Sequence, residues 1–403
     1  MAKPKQRHGK ILVVWLILTN SLYFLFLLEL GLQSYYQAQD EKEYQASLDY
    51  RRFEADTYQN NQWPKAYYHE HRQAYVSRWQ PYVHWRREAY NGEYINIDNK
   101  GIRKTWQPEF PDLTKGKPFQ IFVFGGSTIW GTGARDDFTI PSQLAKQLAK
   151  KGHMVEVTNL GESSYTSTQE VLTLMDQLRQ GKRPDLVIFY DGFNDATAAL
   201  VQNRAGIPFN EQHRKNEYNM HKKKLSTLLR EHVWPKMALK RFIQSLAASL
   251  RSRDEFSYHN LNSEKLAKEV VDVYRFNLEL LQNMQNRYQF TLLNYWQPNI
   301  FDKSRLTPYE EKQTHLYPEF DLKGFYREVN QELAAAGLEQ HSPFFHDISG
   351  IFQNTREPVF VDLIHLGERG NQIIAARMME DILPILPVVL PYQKPLSLGS
   401  EPK

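Results

Sequence analysis

The sequence contains no cysteine. That excludes disulfides, thiolate metal sites and a cysteine nucleophile together, and it leaves the compartment open, because a disulfide-free chain is tolerated on either side of a membrane. A dominant charge is missing too: 50 Lys and Arg against 46 Asp and Glu leave +4 over 403 residues, too little to mark a dedicated nucleic-acid binder. Several catalytic signatures are incomplete. Gly131-Thr132-Gly133 lacks the third glycine of a dinucleotide loop, and His69-Glu70-His71 lacks the spacing of a zinc-protease helix. The length fits one large domain with attachments, or two ordinary domains.

What is present begins with a long apolar run. Ile11 to Leu32 is almost unbroken, and a bilayer core takes about 20 helical residues. Lys3, Lys5, Arg7 and Lys10 precede it, and Asp40, Glu41 and Glu43 follow. The expected arrangement is a single-pass anchor through residues 11–32 with a cytoplasmic basic tip, and an exported remainder that is periplasmic or at the cell surface. The competing reading is a cleaved signal peptide. Against it, the apolar core exceeds the usual ~7–15 residues and no small-x-small site follows. Glu29, near the outer end, is read as lying at the interface rather than in hydrocarbon.

After the anchor (1–33), residues 34–117 read as a stalk and an aromatic lead-in. The first part, to about residue 75, is polar and carries no chemistry that the sequence identifies. From Tyr75 to Gln107 the composition turns aromatic and basic, with Trp79, Tyr82, Trp85, Arg86, Arg87 and Trp106 close together. Such a cluster either stacks on sugar rings or packs against the main domain, the second being the commoner use of aromatics. Residues 118–385 alternate short apolar runs with helical periodicity, the pattern of a doubly wound α/β domain. Strands are expected at Ile121 to Phe124, Val155 to Leu160, Leu186 to Tyr190, Phe290 to Asn294 and Phe344 to Ile348. Ser167 and Glu170 read as a capping box opening a helix that Gly181 stops, and a second helix is expected over Ser263 to Asn286. A basic helical insertion at about 205–255, with Lys222, Lys223, Lys224, Lys236, Lys240 and Arg241, interrupts the alternation. It reads as a solvated face, with anionic glycan or lipid headgroups as the alternative. The proline-rich tail, 386–403, is expected to be disordered.

Chemistry-bearing residues collect at the carboxyl ends of the expected strands, where open α/β sheets place ligands. Ser127 follows Gly125-Gly126, whose glycines let the chain turn sharply. Gly161 follows the Val155 strand, and Asn194 stands in Gly192-Phe193-Asn194-Asp195 after the Leu186 strand. Near the C-terminus Asp362 precedes His365 by three residues, a spacing that lets a carboxylate fix an imidazole's tautomer and stabilise the imidazolium. Each element alone is an ordinary turn or a structural histidine. Their occurrence in chain order is the informative observation. Position 129 is Ile, so Ser127 is not in the Gly-x-Ser-x-Gly elbow of an α/β-hydrolase.

These blocks resemble those of the SGNH hydrolase superfamily, the GDSL-like esterases and lipases, over roughly residues 118–385. Ser127 matches the nucleophile, Gly161 the second-block glycine, Asn194 the third-block asparagine, and Asp362 with His365 the closing pair. The first block departs from the family name, reading Gly-Gly-Ser-Thr in place of Gly-Asp-Ser. The resemblance implies a flavodoxin-like three-layer sandwich with a parallel sheet, and an oxyanion hole made of the Ser127 N–H, the Gly161 N–H and the Asn194 side chain. It also implies acyl transfer through Ser127 with no cofactor. Together with the anchor it suggests an esterase or acyltransferase for O-acyl, above all O-acetyl, groups of cell-envelope or secreted polysaccharide. The alternatives are a lipase or lysophospholipase at the membrane surface, and an idle glycan-binding or assembly scaffold. The substrate would be an acylated glycan or a lipid ester, with no nucleic acid. Protein partners, oligomeric state, and the choice between water and a sugar hydroxyl as acceptor are not legible.

Overall fold

The computed structural model describes residues 5–46, 50–108, 117–219, 234, 237–248, 262–317 and 320–386. In chain order the elements begin with helix α1 (Lys5–Ala46), helix α2 (Trp63–Ala74), and the strands β1 (Ser77–Gln80), β2 (His84–Arg87), β3 (Tyr90–Asn91) and β4 (Asn96–Ile97). Then come β5 (Phe119–Gly125), α3 (Ser127–Trp130), α4 (Ile140–Lys150), β6 (Val155–Asn159), α5 (Ser167–Arg179), β7 (Leu186–Asp191) and α6 (Phe193–Gln202). They are followed by α7 (Glu211–Tyr218), α8 (Ala238–Ala248), α9 (Ser263–Tyr288), β8 (Thr291–Trp296), α10 (Pro308–Gln313), α11 (Leu322–Ala335), α12 (Leu338–His341), β9 (Phe345–Asp347) and α13 (Glu368–Ile382).

The chain forms two units, one of Met1–Arg51 with Asn210–Asn260 and one of Arg52–Phe209 with Leu261–Lys403. In the smaller unit α1 is continuous, since its apolar run contains no proline and a single glycine, Gly31. Its segment Ile11–Lys42 is long and apolar enough to cross a membrane. Glu29 accepts hydrogen bonds from the backbone N–H groups of Ala238 (2.7 Å) and Leu239 (2.9 Å), the first N–H groups of α8, which have no partner within their own helix. Arg241 pairs with Asp40 at 2.7 Å and lies over the Tyr36 ring. Of the expected basic insertion, residues 205–210 form turns and the helices α7 and α8 follow; Lys222, Lys223, Lys224 and Lys236 lie outside the described residues, as does the tail from 387.

The larger unit is built on a five-stranded, all-parallel sheet in the order β6-β5-β7-β8-β9. Its strands are apolar at successive positions because both faces are covered. Ile121, Val123, Leu186, Ile188 and Leu293 face a core shared with α4, α11 and α13. Phe122, Phe124, Val187, Phe189 and Leu292 point the other way, onto Val171, Leu174 and Leu178 of α5 and Leu281 of α9. The three-layer α/β architecture is therefore the one expected, with each strand within two residues of its expected limits. The start of α5 is a correction. Its capping box is Thr166 with Gln169, one residue earlier than expected. Ser167 is already inside the helix with its hydroxyl committed to Asp195 at 2.6 Å, and Glu170 points into a buried acidic cluster.

From Arg52 onward the lead-in belongs to the larger unit, where Ala55, Tyr58, Tyr67, Tyr68, Ile95 and Ile97 form a small core with Trp130 and Val361. The lead-in thus packs on the segments that follow β5 and precede α13, the two places that carry Ser127 and His365.

Candidate active site

β5 delivers the chain to Gly126, and Ser127 opens α3. The turn needs a glycine: a Cβ on Gly126 would stand 2.2 Å from Asn194 Nδ2. As the first residue of a helix, Ser127 has a backbone N–H with no intrahelical acceptor. Arg103 holds the segment after α3. Its fully buried guanidinium donates to the Gly131 and Ala134 carbonyls, both at 2.7 Å, and pairs with Asp136 at 2.9 Å.

The second half of the site is the short loop between Phe360 and Leu366, closed by a bond from Val361 N–H to His365 O of 2.9 Å. Asp362 Oδ1 accepts the backbone N–H groups of Ile364 (3.0 Å) and His365 (2.8 Å), so its own loop fixes the carboxylate. Its Oδ2 lies 2.7 Å from His365 Nδ1, and His365 Nε2 lies 2.7 Å from Ser127 Oγ. With Nδ1 donating to a carboxylate, Nε2 carries the lone pair and accepts from the serine hydroxyl. Residues 238 positions apart are thereby brought into one hydrogen-bonded line. Burial alone would raise the Asp362 carboxyl. The charges of His365 and Arg52 and the bonds from His365 outweigh it and hold Asp362 well below the usual carboxylate range.

Asn194 lies at the start of α6, beside Gly126, and donates one amide hydrogen to Tyr165 O at 2.8 Å. A primary amide has a second hydrogen to offer. Gly161 lies beside the site, and its single N–H is bonded to Asn159 Oδ1 at 3.0 Å. The glycine is required there for space, since a Cβ would fall 2.5 Å from Trp130 N.

Sequence reasoning missed three features. Arg52 Nε lies 3.0 Å from Asp362 Oδ2; an arginine in a polar segment carries no local signal of this, and only the fold brings it there. Ser164 has a left-handed backbone (φ 62°) in the loop between β6 and α5, a conformation that side chains other than glycine and asparagine seldom take. That loop is pinned by the hairpin β1–β2: Trp85 Nε1–H donates to Ser163 O at 3.0 Å, Tyr165 O–H donates to Trp85 O, and Arg87 pairs with Glu162 at 3.2 Å. The third feature is a buried acidic cluster of Glu170, Asp191 and Asp195 under α6. Burial pushes all three carboxyls up, Asp195 to about 6. Among the described residues no group of three or more His, Cys, Asp or Glu is arranged to hold a metal ion.

A model of the GDSL-like lipase/acylhydrolase family matches residues 123–373, a stretch that holds Ser127, Gly161, Asn194, Asp362 and His365. Similar solved structures include the acetyl xylan esterase AlAXEase, at 12% identity and a TM-score of 0.38 over 65% of this chain and 99% of that one. A member of the lipolytic G-D-S-L family from Veillonella parvula matches at 14% and 0.35, over 65% and 96% of the two chains. A carbohydrate acetylesterase family member from Sinorhizobium meliloti matches at 14% and 0.35, over 66% and 97%. Among curated proteins none matches the chain.

Proposed function

The chain belongs to the GDSL-like lipase/acylhydrolase family and is an ester-bond hydrolase, and from that premise we propose that Ser127, His365 and Asp362 are its nucleophile, general base and orienting carboxylate. The observation that carries this reading is the unbroken line from Ser127 Oγ through His365 to Asp362, with both links at 2.7 Å. Ser127 Oγ attacks the ester carbonyl carbon as His365 Nε2 takes its proton. The tetrahedral oxyanion is met by the Ser127 N–H and the free amide hydrogen of Asn194. Collapse breaks the ester C–O bond, His365 returns the proton to the departing alkoxide, and an acyl-serine remains. An incoming hydroxyl, from water or from a sugar, then gives its proton to His365 and takes the acyl group from Ser127.

The substrate we infer is an O-acyl group, above all O-acetyl, on cell-envelope or secreted polysaccharide. Two features support it. The helix holding Ile11–Lys42 is of membrane-spanning length and apolarity, and its basic flank argues for an exported catalytic unit. Beside the loop that carries Ser163 and Tyr165 stands a hairpin whose Trp79 and Tyr82 are 58% and 85% exposed, a use of aromatic surface suited to sugar rings.

The test is hydrolysis of p-nitrophenyl acetate and of a long-chain ester by the full chain in detergent, beside Ser127→Ala. Acetate hydrolysis that falls by about 10³-fold or more in the variant is expected. A preference for the long chain would move the assignment to a lipase. Activity that survives the substitution would overturn the triad, and an inactive wild type with an intact fold would favour the scaffold reading.

A further inference from the structure

We propose that Arg52 is a positioning residue of this site, a cation built into the charge relay from the arm that precedes the family-matched region. The inference rests on the triad reading above. Asp362 Oδ2, the oxygen that receives His365 Nδ1–H at 2.7 Å, has Arg52 Nε at 3.0 Å on its other side, while Oδ1 is taken up by two backbone N–H groups. The carboxylate thus has hydrogen-bond donors on both oxygens and a full positive charge paired with one of them. The Arg52 side chain is 16% exposed and that of Asp362 5%, so the pair is little screened by solvent.

The arm is held on both halves of the site, which makes the contact a built one. Tyr58 O–H donates to Gly133 O at 2.6 Å, Ala55 is buried, and a Cβ on Gly367 would strike Thr57 Oγ1 at 2.3 Å. Among the described residues, Tyr68 and His71 of α2 and Tyr309 of α10 stand near this pair, and Glu54 and Asp56 of the arm act on Tyr309. Burial keeps both tyrosines protonated, and it keeps His71 neutral, helped by the surrounding arginines. At neutral pH the charge in contact with Asp362 Oδ2 is therefore that of Arg52.

Two consequences follow for His365. The guanidinium keeps Asp362 ionised and turned toward Nδ1, which favours the reactive tautomer. It also offsets part of the negative charge that the imidazolium meets, so removing the cation is expected to stabilise the protonated ring. An ordinary packing role for Arg52 has the first effect only.

The experiment is the pH profile of kcat/KM for p-nitrophenyl acetate, measured on the full chain in detergent, for wild type, Arg52→Gln, Arg52→Lys and Ser127→Ala. With Arg52→Gln the acid limb is expected to move up by about one pH unit, because the imidazolium is no longer opposed by a nearby cation. Arg52→Lys keeps the charge and should return the limb to within a few tenths of a unit of wild type, with a lower plateau where the planar contact is lost. A limb that stays in place in both variants, with or without a drop in plateau, would overturn the proposal. If Arg52→Gln does not fold, a wild-type limb in Arg52→Lys supports the role of charge, and a limb displaced upward refutes it. Should Ser127→Ala retain activity, the triad itself fails. Loss of activity in that variant together with unmoved Arg52 profiles fails this inference alone.

Discussion

Asp362 receives three hydrogen bonds on two oxygens, two from its own loop and one from His365, and has the Arg52 charge 3.0 Å from Oδ2; together they explain how a buried carboxylate stays ionised. Glu170 shows the opposite outcome from the same burial. Neither of its oxygens has a hydrogen-bond donor, and Asp191 and Asp195 stand close by. Burial first, and then those neighbours, push its carboxyl well above 4.5. An acid whose folded-state affinity for the proton exceeds its unfolded one contributes most to stability at low pH, and loses that contribution as pH rises from the unfolded value through the folded one. Wild type should therefore lose thermal stability between about pH 4.5 and 8 to a greater extent than Glu170→Gln, whose amide does not titrate. Melting temperatures of both proteins at pH 5 and pH 8 check this, and a constant gap between them would contradict it.

At the scale of elements, the hairpin β1–β2 is the part whose position has functional meaning. Trp85 and Arg87 turn inward and fasten the loop that carries Ser163 and Tyr165, while Trp79 stacks on His84 at 14° between ring planes and keeps more than half its surface in solvent. Trp79 lies opposite Trp85 across the antiparallel pair, so the exposed ring stands directly beside the one that fastens the loop. If these exposed rings stack on sugar, Trp79→Ala and Tyr82→Ala should each raise KM for an acetylated oligosaccharide by about 3- to 10-fold. Their kcat/KM for p-nitrophenyl acetate should stay within about twofold of wild type, as that small ester cannot reach the platform. Equal losses on both substrates would indicate that the rings act on the fold of the hairpin instead.

At the scale of the whole molecule, a helix of membrane-spanning length and a compact hydrolase unit share one chain. An uncleaved anchor keeps an N-terminal tag and the catalytic unit on one polypeptide that resists carbonate extraction from membranes. A signal peptide would leave the tag on a short fragment. The first result is expected, given an apolar run well beyond ~7–15 residues. In intact cells stripped of any outer barrier, added protease should reach the catalytic unit and spare the tag, as the positive flank directs. The reverse pattern of protection would refute the export.

By itself the sequence determined the apolar span, the five parallel strands, and the placement of Ser127, Asn194, Asp362 and His365 at strand ends and in the last loop. It could do so because each depends on short-range pattern: length of an apolar run, strand-sized apolar segments, glycines at a turn, a three-residue spacing. Which groups are free to act was decided only by tertiary structure. Gly161 sits where its pattern suggests, but whether its N–H is available depends on the orientation of the Asn159 side chain. Thr166 rather than Ser167 caps α5, because Asp195, from another element, claims the Ser167 hydroxyl. Arg52 becomes part of the site across 310 positions of chain, through the fold of an arm that has no periodicity of its own. Contacts of that kind arise from close packing between distant segments, and no local pattern encodes them.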